Sequence, residues 1–219
     1  MTKTVLVLHR VARLSRDEFQ TRYEAAQTGS DGTARHRTIH LPFDTDALRA
    51  EALGLPAQRA RCDGVSLHWS DDPAPLRKEE THDAIARTDA YRVEEVVHWD
   101  HLPGRPRGRA PGIKMMAFVR SLPGLSPEEF RQRYLEHARV AQLHHPGAAR
   151  YVQNFVTETL TDGAPAVSGI AELSFETESD LTHRFYRDDR SPKIVAEDVA
   201  RFMTYRGAWS ILAHEIVVQ

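Results

Sequence analysis

Histidine is the side chain best suited to proton transfer near neutral pH, and this chain of 219 residues contains 12 histidines. His137 is the strongest candidate, because it lies seven residues after Phe130 and three after Tyr134 on one face of a predicted helix. An imidazole on that face could act as a general acid or base. The alternative is a structural histidine that is hydrogen-bonded to a backbone carbonyl or a carboxylate.

Two further residue types could assist His137. Tyr134 could supply a catalytic hydroxyl, although Tyr23 repeats it elsewhere in the chain, which favours a packed residue with a hydrogen-bonded hydroxyl. Arg120 and His9 end two apolar stretches, and either could bind a carboxylate or enolate oxygen at a barrel mouth. Solvated strand ends are the alternative for both. We therefore take His137, Tyr134 and Arg120 as the catalytic candidates.

A second set of residues could contact a substrate. A buried amide in a predicted strand, as at Asn154, could orient a substrate carbonyl. Histidines beside tryptophans suit an aromatic ligand, although they suit a protein interface nearly as well. The predicted substrate-binding residues are Met116, Phe118, Asn154, Phe155, His9, His40, Trp69, His98 and Trp209.

Metal and cofactor motifs are weak in this sequence. His144 and His145 are adjacent and would point to different sides of a helix, so they make a poor chelating pair. The sequence contains no glycine-rich phosphate loop, no nucleophile elbow and no dinucleotide fingerprint. The single cysteine, Cys62, excludes an internal disulfide and is expected to be a small core residue. We expect no metal and no cofactor.

An internal repeat organises the elements that must position these residues. The segment from Lys3 to Tyr23 reads KTVLVLHRVARLSRDEFQTRY, and that from Lys114 to Tyr134 reads KMMAFVRSLPGLSPEEFRQRY. Six identical residues keep a constant offset of 111: Leu14, Ser15, Glu18, Phe19, Arg22 and Tyr23 correspond to Leu125, Ser126, Glu129, Phe130, Arg133 and Tyr134. Both copies thus predict a strand followed by a helix that begins with a serine–glutamate capping box.

The repeat predicts two halves, residues 1–99 and 113–219, joined by a proline-, glycine- and arginine-rich linker over 100–112 without regular structure. Each half is predicted to be a ferredoxin-like βαββαβ unit of the α+β class. The first half carries an insertion between Asp44 and Arg61. Because the strands are apolar on both faces, we expect the two sheets to face each other around a partly apolar ligand cavity.

Charge and hydropathy restrict the partners. The formal net charge is −2, which provides neither a basic field for nucleic acid nor a polybasic membrane patch. The apolar run near the N-terminus is too short for a signal peptide or a membrane span. We therefore expect a cytoplasmic protein whose partner is a small-molecule substrate, with no nucleic acid and no membrane, and with a homodimer as an open alternative.

The second half resembles the EthD family of dimeric α+β barrel proteins. The resemblance rests on Pro123 to Phe130, on Glu136-His137-Ala138, on Arg150 to Asn154, on Gly169 to Leu173, and on Ala196-Glu197-Asp198 before Arg201-Phe202. It implies a single-chain version of that barrel with a diverged first half. Members often carry histidine after the Gln-Asn pair, where this chain has Phe155. The first half has Ala26 where the second has His137, so any histidine site is asymmetric.

The resemblance implies small-molecule chemistry without organic cofactors. We expect a tailoring enzyme of secondary metabolism that acts by acid–base catalysis on an aromatic, polyketide-like substrate. The reaction is a cyclisation, a dehydration or a decarboxylation. A cofactor-free oxygenase is the enzymatic alternative. A non-catalytic protein that binds a small ligand or haem, with a histidine as axial ligand, is the alternative from another class.

Overall fold

The computed structural model describes residues 2–28, 36–43, 61–70, 82–102, 104 and 106–218. Over these residues the chain forms nine strands and four helices. In chain order they are β1 (Lys3–Arg10), α1 (Arg16–Thr28), β2 (His36–Pro42), β3 (Gly64–Trp69), β4 (Ile85–Asp100), β5 (Gly108–Arg109), β6 (Ile113–Val119), α2 (Pro127–His144), β7 (Arg150–Thr159), β8 (Gly169–Phe175), α3 (Glu178–Arg184), α4 (Ser191–Val199) and β9 (Trp209–Val217).

Eight of the strands close into an antiparallel barrel. Their order is β2-β3-β1-β4-β7-β8-β6-β9, and pairing of β9 with β2 closes the circle. The long strand β4 pairs with β1 through its first part and with β7 through its second part, so it extends from Ile85 to Asp100. Closure through β4–β7 and β2–β9 leaves these strands without free edges.

The two halves share a strand order. In the first half the order is β4-β1-β3-β2, and in the second it is β9-β6-β8-β7. In the second half, α3 and α4 lie between β8 and β9. The matching segment of the first half, 71–81, and nearly all of the predicted insertion, 44–60, lie outside the described residues. The origin of the halves by duplication stays a prediction.

The linker prediction was wrong at one point. Within the segment 100–112, Gly108 and Arg109 form the short strand β5, which pairs with Val217 and Ile216 of β9. The strand forms because β6 pairs only with Trp209–Ala213 of β9, which leaves the end of β9 available on that side. Gly108 adopts a positive φ of 105°, a conformation in which a side chain would be strained.

Both predicted capping boxes are confirmed. The Ser126 hydroxyl accepts from the Glu129 backbone N–H at 3.2 Å, and the Glu129 carboxylate accepts from the Ser126 N–H at 2.9 Å. Ser15 and Glu18 make the same pair of hydrogen bonds at 3.2 and 2.8 Å. These contacts satisfy backbone donors that a helix start leaves unpaired. They set where α1 and α2 begin and therefore which face each helix turns toward the sheet.

Apolar side chains pack in three clusters. One fills the barrel with residues such as Val5, Leu67 and Met116. A second lies between α1 and the outside of the first half, around Phe19 and Tyr23. The third lies between the outer face of the second half and its helices, around Phe130 and Leu173. Cys62 is buried in the first of these clusters, as predicted.

The barrel interior also contains a buried ionic cluster, which we define as Lys3, Lys114, Glu95, Glu172 and Glu215. Lys3 Nζ contacts Glu95 and lies 2.6 Å from Glu172, while Lys114 Nζ lies 3.0 Å from Glu172 and 2.9 Å from Glu215. Burial alone would raise the pKa of Glu172, but the two ammonium groups hold that pKa well below its usual range. The described residues that point into the barrel are thus apolar groups and paired charged groups.

No helix in the described ranges is long and apolar enough to cross a membrane.

Candidate functional site

A cavity lies outside the barrel, between the second half's sheet and its own helices. Its volume is about 670 Å³. Outward residues of β6 and β8, including Ala117 and Ala171, face Ala141 of α2 and Ala196 of α4 across this space. These side chains are single methyl groups that cannot reach one another, so sheet and helices enclose a cavity.

His137 stands in the wall of this cavity and is held by a carboxylate from another helix. Its Nδ1 atom lies 2.8 Å from Oδ2 of Asp198, which belongs to α4. Its ring packs against Phe202 at 5.3 Å and against Tyr151 at 6.5 Å between ring centroids. His137 is 8% exposed. Its hydrogen bond to Asp198 and its contacts with the Phe202 and Tyr151 rings together restrict the orientation of the imidazole.

The Asp198 carboxylate determines which imidazole nitrogen can react. The hydrogen bond from His137 is the main reason that the pKa of Asp198 is lowered, and Arg201 Nη1 adds a contact at 3.1 Å. An ionised carboxylate only accepts, so we assign the imidazole proton to Nδ1. Nε2 of His137 then carries a lone pair, and among the described residues the ring hydrogen-bonds only through Nδ1. This is the arrangement of an oriented general base.

Two tyrosines line the cavity close to His137. Tyr134 is 1% exposed, and its hydroxyl interacts with the Tyr151 hydroxyl without reaching normal hydrogen-bond geometry to any described residue. The Tyr151 hydroxyl accepts from the Gln153 amide at 2.9 Å. Burial raises the pKa of both phenols well above their usual range. Both therefore stay protonated and can donate hydrogen bonds.

His145 is a second histidine in the same wall. It follows α2 directly, and its Nδ1 atom lies 2.6 Å from the carbonyl oxygen of Phe185. Its ring packs on Phe185 and Tyr186, with centroids 4.5 and 5.4 Å away. Burial lowers the pKa of His145 to about 4, which keeps its imidazole neutral. Its neighbour His144 turns aside to Ser191 Oγ at 2.8 Å and does not line the cavity.

The structure brings four of the predicted site residues to this cavity: His137, Tyr134, Phe118 and Trp209. The last two stack with ring centroids 3.7 Å apart, where the barrel core meets the cavity. Arg120 is exposed beyond the end of β6 and does not line it. Strand β6 ends at Val119, one residue before Arg120, and the Arg120 side chain is exposed to solvent.

Three predicted substrate-binding residues point into the barrel instead. Met116 is fully buried in the barrel cluster, because successive strand residues alternate faces and Met115 takes the cavity side. Asn154 donates to Glu172 and to the Ile170 carbonyl, both at 2.9 Å. His40 Nε2 lies 3.4 Å from Glu215, and burial lowers the pKa of His40.

The remaining four also lie away from the cavity. Phe155 packs edge-on against Tyr134, with the Arg131 guanidinium 4.4 Å over its ring. Trp69 Nε1 donates to Glu95 at 3.3 Å. His9 Nε2 lies 2.8 Å from Asp89, and His98 Nε2 lies 3.0 Å from Gln153 behind Tyr151.

Sequence reasoning missed Asp198, His145 and Tyr151. Asp198 belongs to the Ala196-Glu197-Asp198 stretch that carries the family resemblance, which was the available signal. Its pairing with His137 joins residues 61 positions apart on two helices, and helical periodicity gives no information about such a contact. His145 was considered only beside His144 as a chelating pair.

The chemistry of the lining indicates a neutral ligand. None of the described residues that line the cavity is a lysine, arginine, aspartate or glutamate. Within the described ranges no three histidine, cysteine, aspartate or glutamate residues are placed to hold a metal ion. Haem would bring two carboxylates to a wall that offers them no cation, so these residues do not fit that group.

The closed barrel with helices outside it defines the class: the chain has the fold of the dimeric α+β barrel group. Residues 122–205 of this chain match the EthD domain, and this range contains His137, His145 and Asp198. No functionally curated protein matched the chain.

Solved structures agree on the fold. An anthrone oxidase-like protein superposes with a TM-score of 0.59 at 11% identity, over 99% of this chain and 93% of that one. A “putative monooxygenase” from Fusobacterium nucleatum gives 0.53 at 7% identity, over 100% and 92% of the two chains. A second “putative monooxygenase”, from Lactobacillus acidophilus NCFM, superposes with a TM-score of 0.50 at 7% identity, over 100% of this chain and 94% of that one. At these identities the likeness is one of fold.

Proposed function

We propose that the protein is a small-molecule enzyme in which His137 removes a proton from a neutral aromatic substrate. The observation that carries this proposal is the His137–Asp198 pair in the wall of a cavity whose described lining is otherwise uncharged. Proton transfer by a positioned imidazole contributes about 100- to 10,000-fold to a rate. Asp198 would stabilise the imidazolium that forms.

The cavity also offers groups for the negative charge that deprotonation creates. A proton lost beside a carbonyl leaves an enolate or phenolate oxygen, and a protonated phenol can donate to it. The Tyr134 hydroxyl lies in this wall beside Tyr151 without a hydrogen bond of normal geometry, and the apolar surroundings strengthen any hydrogen bond that it donates to a substrate. In this proposal Tyr134 stabilises the oxyanion that His137 generates.

The size and lining of the cavity favour a polycyclic substrate. About 670 Å³ lies within the usual range for small-molecule sites, and Phe202, Tyr205 and Trp209 present aromatic surface. We propose an aromatic, polyketide-like substrate of secondary metabolism. Its cyclisation or dehydration needs acid–base catalysis alone, whereas the decarboxylation expected as an alternative would need a substrate carboxylate, for which the described lining offers no cation.

A cofactor-free oxygenation is the second candidate, and the similarity to an anthrone oxidase-like protein favours it. His137 would take a proton from a ring methylene flanked by two aryl groups. The carbanion would pass one electron to O₂, and the two radicals would combine to a peroxide. Loss of water then gives the quinone, so one methylene and one O₂ become one carbonyl and one water. The same base begins both reactions.

Turnover of anthrones and related aryl ketones, followed by mass spectrometry in air and under argon, tests the proposal. The wild type should convert at least one compound, and His137→Gln should lose about 100-fold or more of that rate. His183→Gln is the matched control, because His183 is exposed on α3. Products that form only in air select the oxygenase, and products that form equally under argon select the acid–base reaction. Equal rates in wild type and His137→Gln contradict both.

We also propose that the halves arose by tandem duplication and that one working site remains. The repeat of 111 residues and the shared strand order support this. Ala26, at the position equivalent to His137, is exposed on α1. The second half then retains the histidine at this helix position, and the first half does not.

A further inference from the structure

The cavity has two imidazoles at different places along one helix face. His137, Ala141 and His145 are spaced by four residues, and all three line the cavity. Eight residues of helix correspond to about 12 Å along the axis. A substrate with its reacting carbon at His137 can therefore extend toward the His145 end of the cavity, where Phe185 and Tyr186 lie.

His145 presents a hydrogen-bond acceptor there. The Phe185 carbonyl can only accept, so Nδ1 of His145, 2.6 Å away, must be the donor. The proton is thus on Nδ1, and Nε2 carries a lone pair. Among the described residues the His145 ring hydrogen-bonds only through Nδ1, so Nε2 has no partner in that part of the chain. An acceptor without a partner in an apolar wall favours a ligand that supplies a donor.

His145 differs from His137 in its partner. A carboxylate supports His137, whereas a neutral carbonyl holds His145. With a pKa of about 4, His145 is a poor proton acceptor at neutral pH but remains a hydrogen-bond acceptor. The two histidines can therefore have separate roles in one cavity.

We propose that Nε2 of His145 accepts a hydrogen bond from a substrate hydroxyl and so selects hydroxylated polycyclic aromatics. This inference rests on the proposed function, since it concerns the far end of the same substrate. A compound without the hydroxyl would leave the acceptor unpaired, which should weaken its binding by about 10-fold. His145 is thus a specificity-determining residue, and His137 remains the base.

Equilibrium binding of a matched ligand pair tests this without turnover. The probes are 2-hydroxyanthraquinone and anthraquinone, and quenching of Trp209 fluorescence reports on binding because Trp209 lines the cavity. The wild type should bind the hydroxyl compound about 10-fold more tightly. His145→Asn should bind both equally, because its amide can still donate to Phe185 but does not reach the position of Nε2. His144→Asn, one residue away and outside the lining, should behave as wild type.

A second variant guards against misfolding. His145→Gln extends an amide to the position of Nε2 and should restore part of the preference, with thermal unfolding confirming that each variant is folded. A preference that persists in His145→Asn, or that is absent from wild type, overturns the assignment of His145 and leaves the role of His137 intact. Failure of both quinones to bind wild type overturns this inference and the aromatic substrate class together. Loss of turnover in His137→Gln with unchanged binding supports the division of roles.

Discussion

Acid should destabilise the protein in part through His145. The folded pKa of His145 is about 4 and the ordinary value is 6.5, so the unfolded chain takes up a proton that the folded chain refuses. Because the folded pKa of His145 is lowered, the neutral imidazole contributes fully to the free energy of unfolding above about pH 6.5. That contribution is lost as the pH falls toward 4. Between about pH 7 and pH 5 the linkage relation gives a loss of about 2 kcal/mol.

Urea unfolding of wild type and His145→Asn at both pH values isolates this contribution. His40 and the other titrating groups are common to both proteins, so their contributions largely cancel in the difference between the two free energies of unfolding. Relative to His145→Asn, wild type should lose about 2 kcal/mol of its free energy of unfolding when the pH is lowered from 7 to 5. A difference that stays the same at both pH values would refute the reasoning, because it would mean that His145 titrates alike in folded and unfolded chains.

Three further substitutions probe separate parts of the account. Lys114→Met should lower the free energy of unfolding by about 3 to 5 kcal/mol in urea titrations, because Glu172 and Glu215 lose a buried cation; a loss below about 1 kcal/mol would contradict it. Tyr134→Phe should lower the free energy of unfolding by less than about 1 kcal/mol, because the hydroxyl interacts with Tyr151 without a hydrogen bond of normal geometry, yet it should slow turnover if it stabilises the oxyanion. Arg120→Ala should leave kcat/KM within about two-fold of wild type, since this side chain is exposed outside the cavity. A much larger loss of kcat/KM would show that Arg120 takes part in the site.

Much of the architecture follows from local signals in the sequence. The capping boxes at Ser15 and Ser126 mark both helix starts, and apolar runs mark the strands. The path of β4 could not be read in this way. Its first part pairs within its half and its second part pairs with β7, so its length depends on the closure of the barrel.

The candidate site, too, was predictable from the sequence only where local signals determine it. Helical spacing from Phe130 and Tyr134 identified His137 as an inward residue, and the structure confirms that it is buried in the wall. The location of the cavity was not predictable, because strands apolar on both faces do not tell which side will be filled. Lys3 and Lys114 fill the barrel side with charge, while alanines leave the helix side open. Residues predicted from the barrel side, such as Met116 and Asn154, therefore missed the cavity.

Proton exchange tests the central claim most directly, because it reports on the base before any later step. An anthrone is incubated in D₂O under argon with wild type or His137→Gln, and deuterium entry at the ring methylene is followed by NMR. We predict that wild type accelerates exchange over the uncatalysed rate and that His137→Gln loses about 100-fold or more of this acceleration. Acceleration by His137→Gln equal to that of wild type would contradict the assignment of His137 as the base.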